Sequence, residues 1–486
     1  MAAEVADDAP LAPPDAVAGE DASKTPPDAS VSDDLPSLDA DATSIDVTRP
    51  DAPAPDAPAP DAPPDAPAPD APAPDAPSSP TRAFDGAEGF GANAAGGRGG
   101  TVYTVTNLND SGTGSLRWAV ERSGRRIVQF AVDGVIQLRS ALDIRDPYVT
   151  IDGRGALDPG ERGITLRDYP INIRTNDVII RYLRVRLGDY AVLRRVALGG
   201  LSRPANSNDL DCINIDNARN VIVDHVSASW STDEIVSVTN SRNVTVQWSI
   251  LSEPISNPRA HPYGDNHAFC ANNSASTLTY HHNLFAHFVF RGPQFEANDA
   301  ASWRPPSNPS FEAVNNVVYA YTSSGSRFRF GFERASDRNT QVQFLYHFVG
   351  NRYVNASRGD SEINAAVDFG VERNVRSWFS DNVGPHRAAG ATDQLSLVFT
   401  DNNASNPLRS NAAALRQVAT APLFTSTVPV TVQRADDAMR VVLDTAGCNL
   451  GRDAIDQRIV ADVRAVRPAA IVTSQANVPG GWPTYR

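Results

Sequence analysis

Six short segments in the middle of the chain follow one pattern: an apolar run of period two, bounded by Asn, Asp, Ser or Gly. They are NDVIIRYLRVRLGD (176–189), NVIVDHVSASWS (220–231), NVTVQWSILSEP (243–254), STLTYHHNLFAH (276–287), FEAVNNVVYAY (311–321) and VQFLYHFVGNRYVN (342–355). Val, Ile, Leu, Phe and Tyr at every second position read as strands. Asn220 to Asn243 is a step of 23 residues and Asp177 to Asn220 one of 43, which reads as one and two turns of a single unit. A strand-only repeat of that length points to a β-solenoid, because one turn cannot bury its own inner face and a stack of turns can. Asparagine suits the corners, where it adopts the left-handed conformation and bonds to the next coil. A β-sandwich would account for the strands but not for the recurring Asn-Val register. The longer gaps after 254 and 287 read as loops leaving the stack, where functional residues concentrate.

A chain of 486 residues, 41% of them hydrophobic, can bury a core of this kind. Its net charge of -14 is not spread evenly: residues 1–83 hold 18 acids against three bases, leaving 39 acids and 40 bases in 84–486. The folded part is near neutral, which argues against binding nucleic acid through a basic stripe. The acidic part contains DAPAPDAPAPDAPPDAPAPDAPAPDAP (51–77), where proline removes donors and aspartates repel one another. Residues 1–83 are therefore expected to be a disordered spacer, with the folded domain at 84–486. No apolar run reaches 18 residues, so no transmembrane helix is expected. The opening MAAEVADDAPLAPPD lacks the apolar core of a signal peptide, although the spacer looks like a tether behind an export signal. Lys24 is the only lysine against 42 arginines, so arginine abundance alone signals nothing. Cys212, Cys270 and Cys448 have no zinc spacing and read as buried small hydrophobes, with a Cys212–Cys270 bridge as the lesser alternative.

The Gly-rich GFGANAAGGRGG (89–100) lacks the Gly-Lys-Ser/Thr ending of a phosphate loop and precedes a strand, so it reads as a tight loop opening the domain. GSLRWAVERSG (114–124) is one short amphipathic helix.

Three clusters hold the residue types that do chemistry. NSNDLDCINID (206–216) places Asp209 and Asp211 on one face of a strand entrance. NVIVDHVSASWSTDE (220–234) ends in the adjacent pair Asp233 and Glu234. YHHNLFAHFVFRGPQFE (280–296) carries His281, His282, His287 and Arg291. Asp211 precedes Asp233 by 22 residues, about one turn, so the acids can stack on neighbouring turns. Stacked carboxylates repel unless a cation lies among them, and an oxygen-only set favours calcium; solvated turn acids are the other reading. Six of eight histidines fall between 225 and 287, yet none are paired at helical metal spacing, and His281 and His282 on a strand would face opposite ways.

Together GFGANAAGGRGGTVYTVTNLNDSGTGSLRWAV, NVIVDHVSASWSTDE, YHHNLFAH and VPGGWP resemble polysaccharide lyase family 1, the pectate lyases, over about 84–483. The secreted bacterial branch is the most similar. The resemblance implies a right-handed parallel β-helix with an outer groove for polygalacturonate (pectin), worked by a calcium-dependent β-elimination that leaves 4,5-unsaturated oligogalacturonides. Residue by residue, it implies that Asp211 and Asp233 hold Ca2+ with Asp209 and Glu234 as companions. It also makes Arg291, from the family's Arg-x-Pro, the base. Asp224 and His225 would support core hydrogen bonding. One departure stands out: where the family has a second arginine after the proline, this chain reads Arg291-Gly-Pro-Gln-Phe-Glu296, and Arg304, Arg327 or Arg329 would have to replace it. A secreted or surface-tethered monomer is expected. Two alternatives remain open: a polygalacturonase-like hydrolase on the same fold, or a carbohydrate-binding β-helix without catalysis.

Overall fold

The computed structural model describes residues 81–157, 162–198, 210–261, 264, 266–298, 308–331, 343–354, 361–367, 375–399, 418–468 and 470–482. The chain divides into two units, Met1–Pro74 and Asp75–Arg486, and everything below belongs to the second. The spacer expected over 1–83 lies outside the described residues up to position 80.

All the strand pairs named here are parallel, and they form three sheets of ten, nine and eight strands. Apart from the first pair of the ten-stranded sheet and the last pair of the nine-stranded one, each strand bonds to the strand three places later in the chain, so the chain visits the sheets in turn and climbs one rung per circuit. That is a parallel β-helix, with the right-handed crossovers that parallel strands adopt. Its interior is built from ladders of aligned side chains. One ladder runs Val149, Val178, Val221, Val244, Leu278, Phe311 and Tyr346, each opposite the next and all fully buried. The rungs change from aliphatic to aromatic along the axis, and Phe295, Phe311, Phe328 and Phe348 fill the later turns.

Polar corners hold the circuits in register. Asn217, Asn220, Asn240 and Asn243 take left-handed φ values, as does Asp177. The Asn243 side-chain amide donates to Asn220 Oδ1 at 3.0 Å and that of Asn220 to Asp177 Oδ1 at 3.4 Å. Deeper inside, Asn283, Asn316, Asn351 and Asn382 form a second ladder, each amide donating to the next oxygen at 2.9–3.0 Å. The corner role expected for asparagine is therefore present. The 43-residue step is a correction. Val178 and Val221 lie on adjacent strands, so it is a single circuit enlarged by the helix Tyr190–Ala197 and by residues 199–209.

The Gly-rich segment is a strap across the outside of the ten-stranded sheet. Phe90, Gly91 and Gly97 donate their backbone N–H groups to Thr279, Thr245 and Thr150 hydroxyls at 2.9–3.1 Å. A Cβ on Gly91 would overlap the Val221 carbonyl oxygen, and one on Gly97 that of Arg126, which is why glycine stands there. The expected helix is present as Leu116–Val120, capped by Ser115 and burying Leu116, Ala119 and Val120 at the start of the core.

Two C-terminal helices, Ala435–Thr445 and Ala454–Ala465, pack Val442, Ile459 and Val463 against Ile250, Leu284 and Val317 of the eight-stranded sheet. Buried Arg186 ties the second helix down through Asp456 at 2.7 Å and Asp453 at 3.1 Å. Glu253 does the same two circuits on, accepting from Arg458 at 2.7 and 2.9 Å and from Trp230 Nε1 at 3.1 Å, with His287 Nδ1 at 3.3 Å. Burial alone would raise this carboxyl, but His287 and Arg458 outweigh it and hold the group at about 2. A depressed carboxyl stabilises the fold above its unfolded value, about 4.3, and loses that contribution as pH falls towards 2. Glu253→Gln is therefore expected to cost about 3 kcal/mol at neutral pH, with the gap from wild type closing between about pH 4 and pH 2 in urea titrations.

Candidate active site on the nine-stranded sheet

Strands Ile213–Asp216, Glu234–Thr239, Phe269–Ser274 and Gln294–Asn298 lie side by side in the nine-stranded sheet. Their first residues, and those just before them, line one edge: Asp211 on one circuit, Asp233 and Glu234 on the next, His267 on the third and Arg291 on the fourth. The 22-residue spacing does place Asp211 and Asp233 on adjacent circuits. Glu234 N donates to Asp211 Oδ1 at 2.9 Å and the Cys212 N–H to the Glu234 carbonyl at 3.3 Å, which locks the two circuits together.

Asp211, Asp233 and Glu234 each bring a carboxylate oxygen to within 4.8 Å of the others. They are 4%, 9% and 4% exposed, so water screens little of their repulsion. Burial and then the Asp233 charge push Asp211 well above the ordinary carboxylate range. Burial and Asp233 do the same to Glu234, against the pull of Arg291. Burial opposes ionisation of Asp233 as well, yet His261, Glu234 and His267 hold it at about 2. Three buried carboxylates that oppose one another's ionisation describe a cluster short of countercharge. A hard cation fits it: calcium takes oxygens at 2.3–2.6 Å, so donors across it are about 4.8 Å apart. Asp233 and Glu234 thus stand where the sequence places them beside Asp211, whereas Asp209 lies outside the described residues.

Arg291 leaves the preceding corner with a left-handed φ of 73° and lays its guanidinium over Phe269 and Phe290, 4.4 and 5.0 Å from the ring centres. It donates to Glu234 Oε1, so the fourth circuit reaches back to the second. Of the three replacement arginines, Arg304 lies outside the described residues and nothing is described of the Arg329 side chain. Arg327 stands opposite Gln294 on the following strand, bonds its side chain at 3.3 Å, and lies 5.5 Å from the same Phe290 ring that Arg291 covers. Glu296, at the position of the expected second arginine, is buried and accepts from Gln294 at 3.2 Å.

Other candidates fall away from this edge. His282 turns the corner with a left-handed φ of 54°, so its Nδ1 meets that of His281 at 2.9 Å instead of facing the opposite way. Burial keeps both rings neutral, His281 well below the ordinary value and His282 at about 4. Asp224 accepts from Arg181 and Gln247 at 2.7 Å and faces His225 at 2.9 Å on the ten-stranded sheet, the supporting role expected of it. Cys212, Cys270 and Cys448 are buried free thiols, and Cys212 and Cys270 are separated by an intervening strand, about 10 Å, too far to bridge. Sequence reasoning missed His261 and His267, whose rings stack beside Asp233, because a His-x5-His spacing in a loop carries no periodic signal.

No family model matches the chain. The "Probable pectate lyase C" of Aspergillus oryzae is 30% identical over 401 residues, 82% of this chain and 81% of its own length. Its counterpart in Aspergillus fumigatus is 32% identical over 386 residues, 79% and 77% of the two chains. These relatives are fungal, so the bacterial branch read from the sequence finds no support in them. A pectate lyase variant from Bacillus subtilis superposes with a TM-score of 0.47 at 13% identity, covering 77% of this chain and 100% of its own. No helix among the described residues is long and apolar enough to cross a membrane.

Proposed function

The chain belongs to the pectate lyase family and is a polysaccharide lyase, and from that premise we propose that it cleaves polygalacturonate by calcium-dependent β-elimination. The observation that carries the proposal is the buried triad Asp211, Asp233 and Glu234, oxygens within 4.8 Å, with the Arg291 guanidinium alongside it. Calcium held by those three carboxylates would supply positive charge to a uronate carboxylate and to the enolate-like charge that grows beside it.

The chain's own groups do the rest. Arg291 accepts the C5 proton at a guanidine nitrogen, the C5–H electrons form the C4=C5 double bond, and the C4–O bond breaks with its electron pair on the departing glycosidic oxygen, which takes a proton from water as the chain end leaves. Phe269 and Phe290 fix the guanidinium plane against the edge, which limits the orientations it must sample. Arg327, 5.5 Å from the Phe290 ring centre, takes a second uronate carboxylate in place of the arginine missing after Pro293. A polymer substrate places the reaction outside the cell, with 84–486 as the enzyme and 1–83 as a spacer.

The experiment that tests this reading counts ends. A lyase makes one unsaturated end for every new reducing end, and that one-to-one ratio is the expected result on polygalacturonate. Reducing ends without unsaturation would mean hydrolysis by a carboxylate pair and would remove Arg291 from the mechanism.

A further inference from the structure

We propose that Asp233, His261 and His267 form a second cation site, one that takes a divalent transition ion of the zinc class and shares Asp233 with the acidic triad. The three residues each bring a donor atom to within 4.8 Å of the others. His261 Nε2 lies 3.6 Å from Asp233 Oδ2, and His267 Nε2 lies 3.6 Å from Asp233 Oδ1. Those separations exceed a hydrogen bond, about 2.7–3.2 Å, but match the edge of a tetrahedral zinc site. With bonds of about 2.0–2.2 Å to nitrogen and oxygen, that edge is about 3.4 Å. On these two edges the donors therefore need to close by only a few tenths of an ångström, and the two histidine donors lie within 4.8 Å of each other.

Both imidazoles are held by packed elements. His261 follows the short turn Pro258–Ala260, capped by Asn257, and Ala260 packs with Val192 of the helix Tyr190–Ala197 and with Leu210. His267 leads into the strand Phe269–Ser274 with its ring 4.5 Å from Phe269. The two rings stack with centres 3.6 Å apart, so both reach the same carboxylate from one side. The His267 and Asp233 side chains remain 16% and 12% exposed, which leaves a path from solvent.

The donor set decides the ion. Two imidazole nitrogens and one carboxylate are ligands for zinc, cobalt or nickel, whereas calcium prefers oxygen alone. The acidic triad and the histidine site are thus selective for different metals while drawing on the same residue. Both oxygens of Asp233 face the histidines, so an ion held there competes with the triad for that carboxylate. A zinc-class ion is then an antagonist of calcium; this consequence rests on the calcium reading above, while the site itself does not.

The test uses the untagged full chain, free of calcium, titrated with Co2+. The expected result is one equivalent bound, with the intense visible bands of four-coordinate N/O-ligated Co2+, displaced by Zn2+. His261→Ala and His267→Ala should each weaken binding beyond the roughly 10–100-fold typical of lost outer-shell partners. His267→Gln, closer in size, guards against misfolding, and circular dichroism checks each variant. Asp211→Asn should keep the Co2+ bands. No stoichiometric Co2+ binding, or binding that survives all three histidine variants, would overturn the proposal. Binding lost in Asp211→Asn but kept in the histidine variants would place the ion in the triad and also overturn it. Co2+ binding with no response to calcium would uphold this site and remove the calcium reading instead.

Discussion

Arg291→Ala is expected to lower turnover on polygalacturonate by on the order of 10³-fold while the β-helix stays folded, since a positioned base contributes about 10²–10⁴. The fold tolerates the change because Arg291 anchors the edge through its backbone: the Ala271 N–H donates to the Arg291 carbonyl at 2.7 Å whatever the side chain. The cost falls on Glu234, which loses its cationic partner. Burial and Asp233 already push that carboxyl well above its ordinary range, so it takes up a proton instead of leaving a naked charge in the wall. Steady-state kinetics separate the roles. A base lost from the chemistry lowers kcat and kcat/KM together, whereas a group that only held substrate would raise KM and spare kcat. A fall in kcat of only a few fold would assign proton removal elsewhere.

Asp211→Asn should move activity and stability in opposite directions. With calcium present, turnover is expected to drop by about 10²–10³, the scale of a lost electrostatic stabiliser. In chelator, the same variant should melt at or above the wild-type temperature. Asp211 is a buried acid whose ionisation is opposed by burial and by Asp233, and the amide keeps the shape without the charge. Wild type should gain from added calcium, by about 2.7 kcal/mol at a hundred times its dissociation constant, and the variant should gain far less. Thermal melts of both proteins with and without calcium read all four values. A variant destabilised equally in both media would make Asp211 a structural acid and nothing more.

What could be read from the sequence was whatever follows a period. The 23-residue step from Asn220 to Asn243 is one circuit, the asparagines do turn the corners, and the 22 residues from Asp211 to Asp233 put two acids on neighbouring rungs. Features that break the period were hidden. The 43 residues from Asp177 to Asn220 look like two circuits because an inserted helix lengthens the chain without adding a rung. His282 seemed to oppose His281 because strand alternation was carried past the corner that ends the strand. Arg327 could be named but not chosen, since its place beside Phe290 depends on the register of two strands 33 residues apart. His261 and His267 come together only because a loop packs on the helix that causes the 43-residue step, a tertiary cause with no local trace.

The most direct test of the account is ultraviolet absorbance of a polygalacturonate digest by the wild-type chain at alkaline pH, followed through addition of calcium, a chelator, and calcium again. The account predicts absorbance from 4,5-unsaturated ends that rises with calcium, stops on chelation and resumes when calcium is restored. Absorbance that continues unchanged in chelator would contradict it, because elimination would then be running without an ion between Asp211, Asp233 and Glu234.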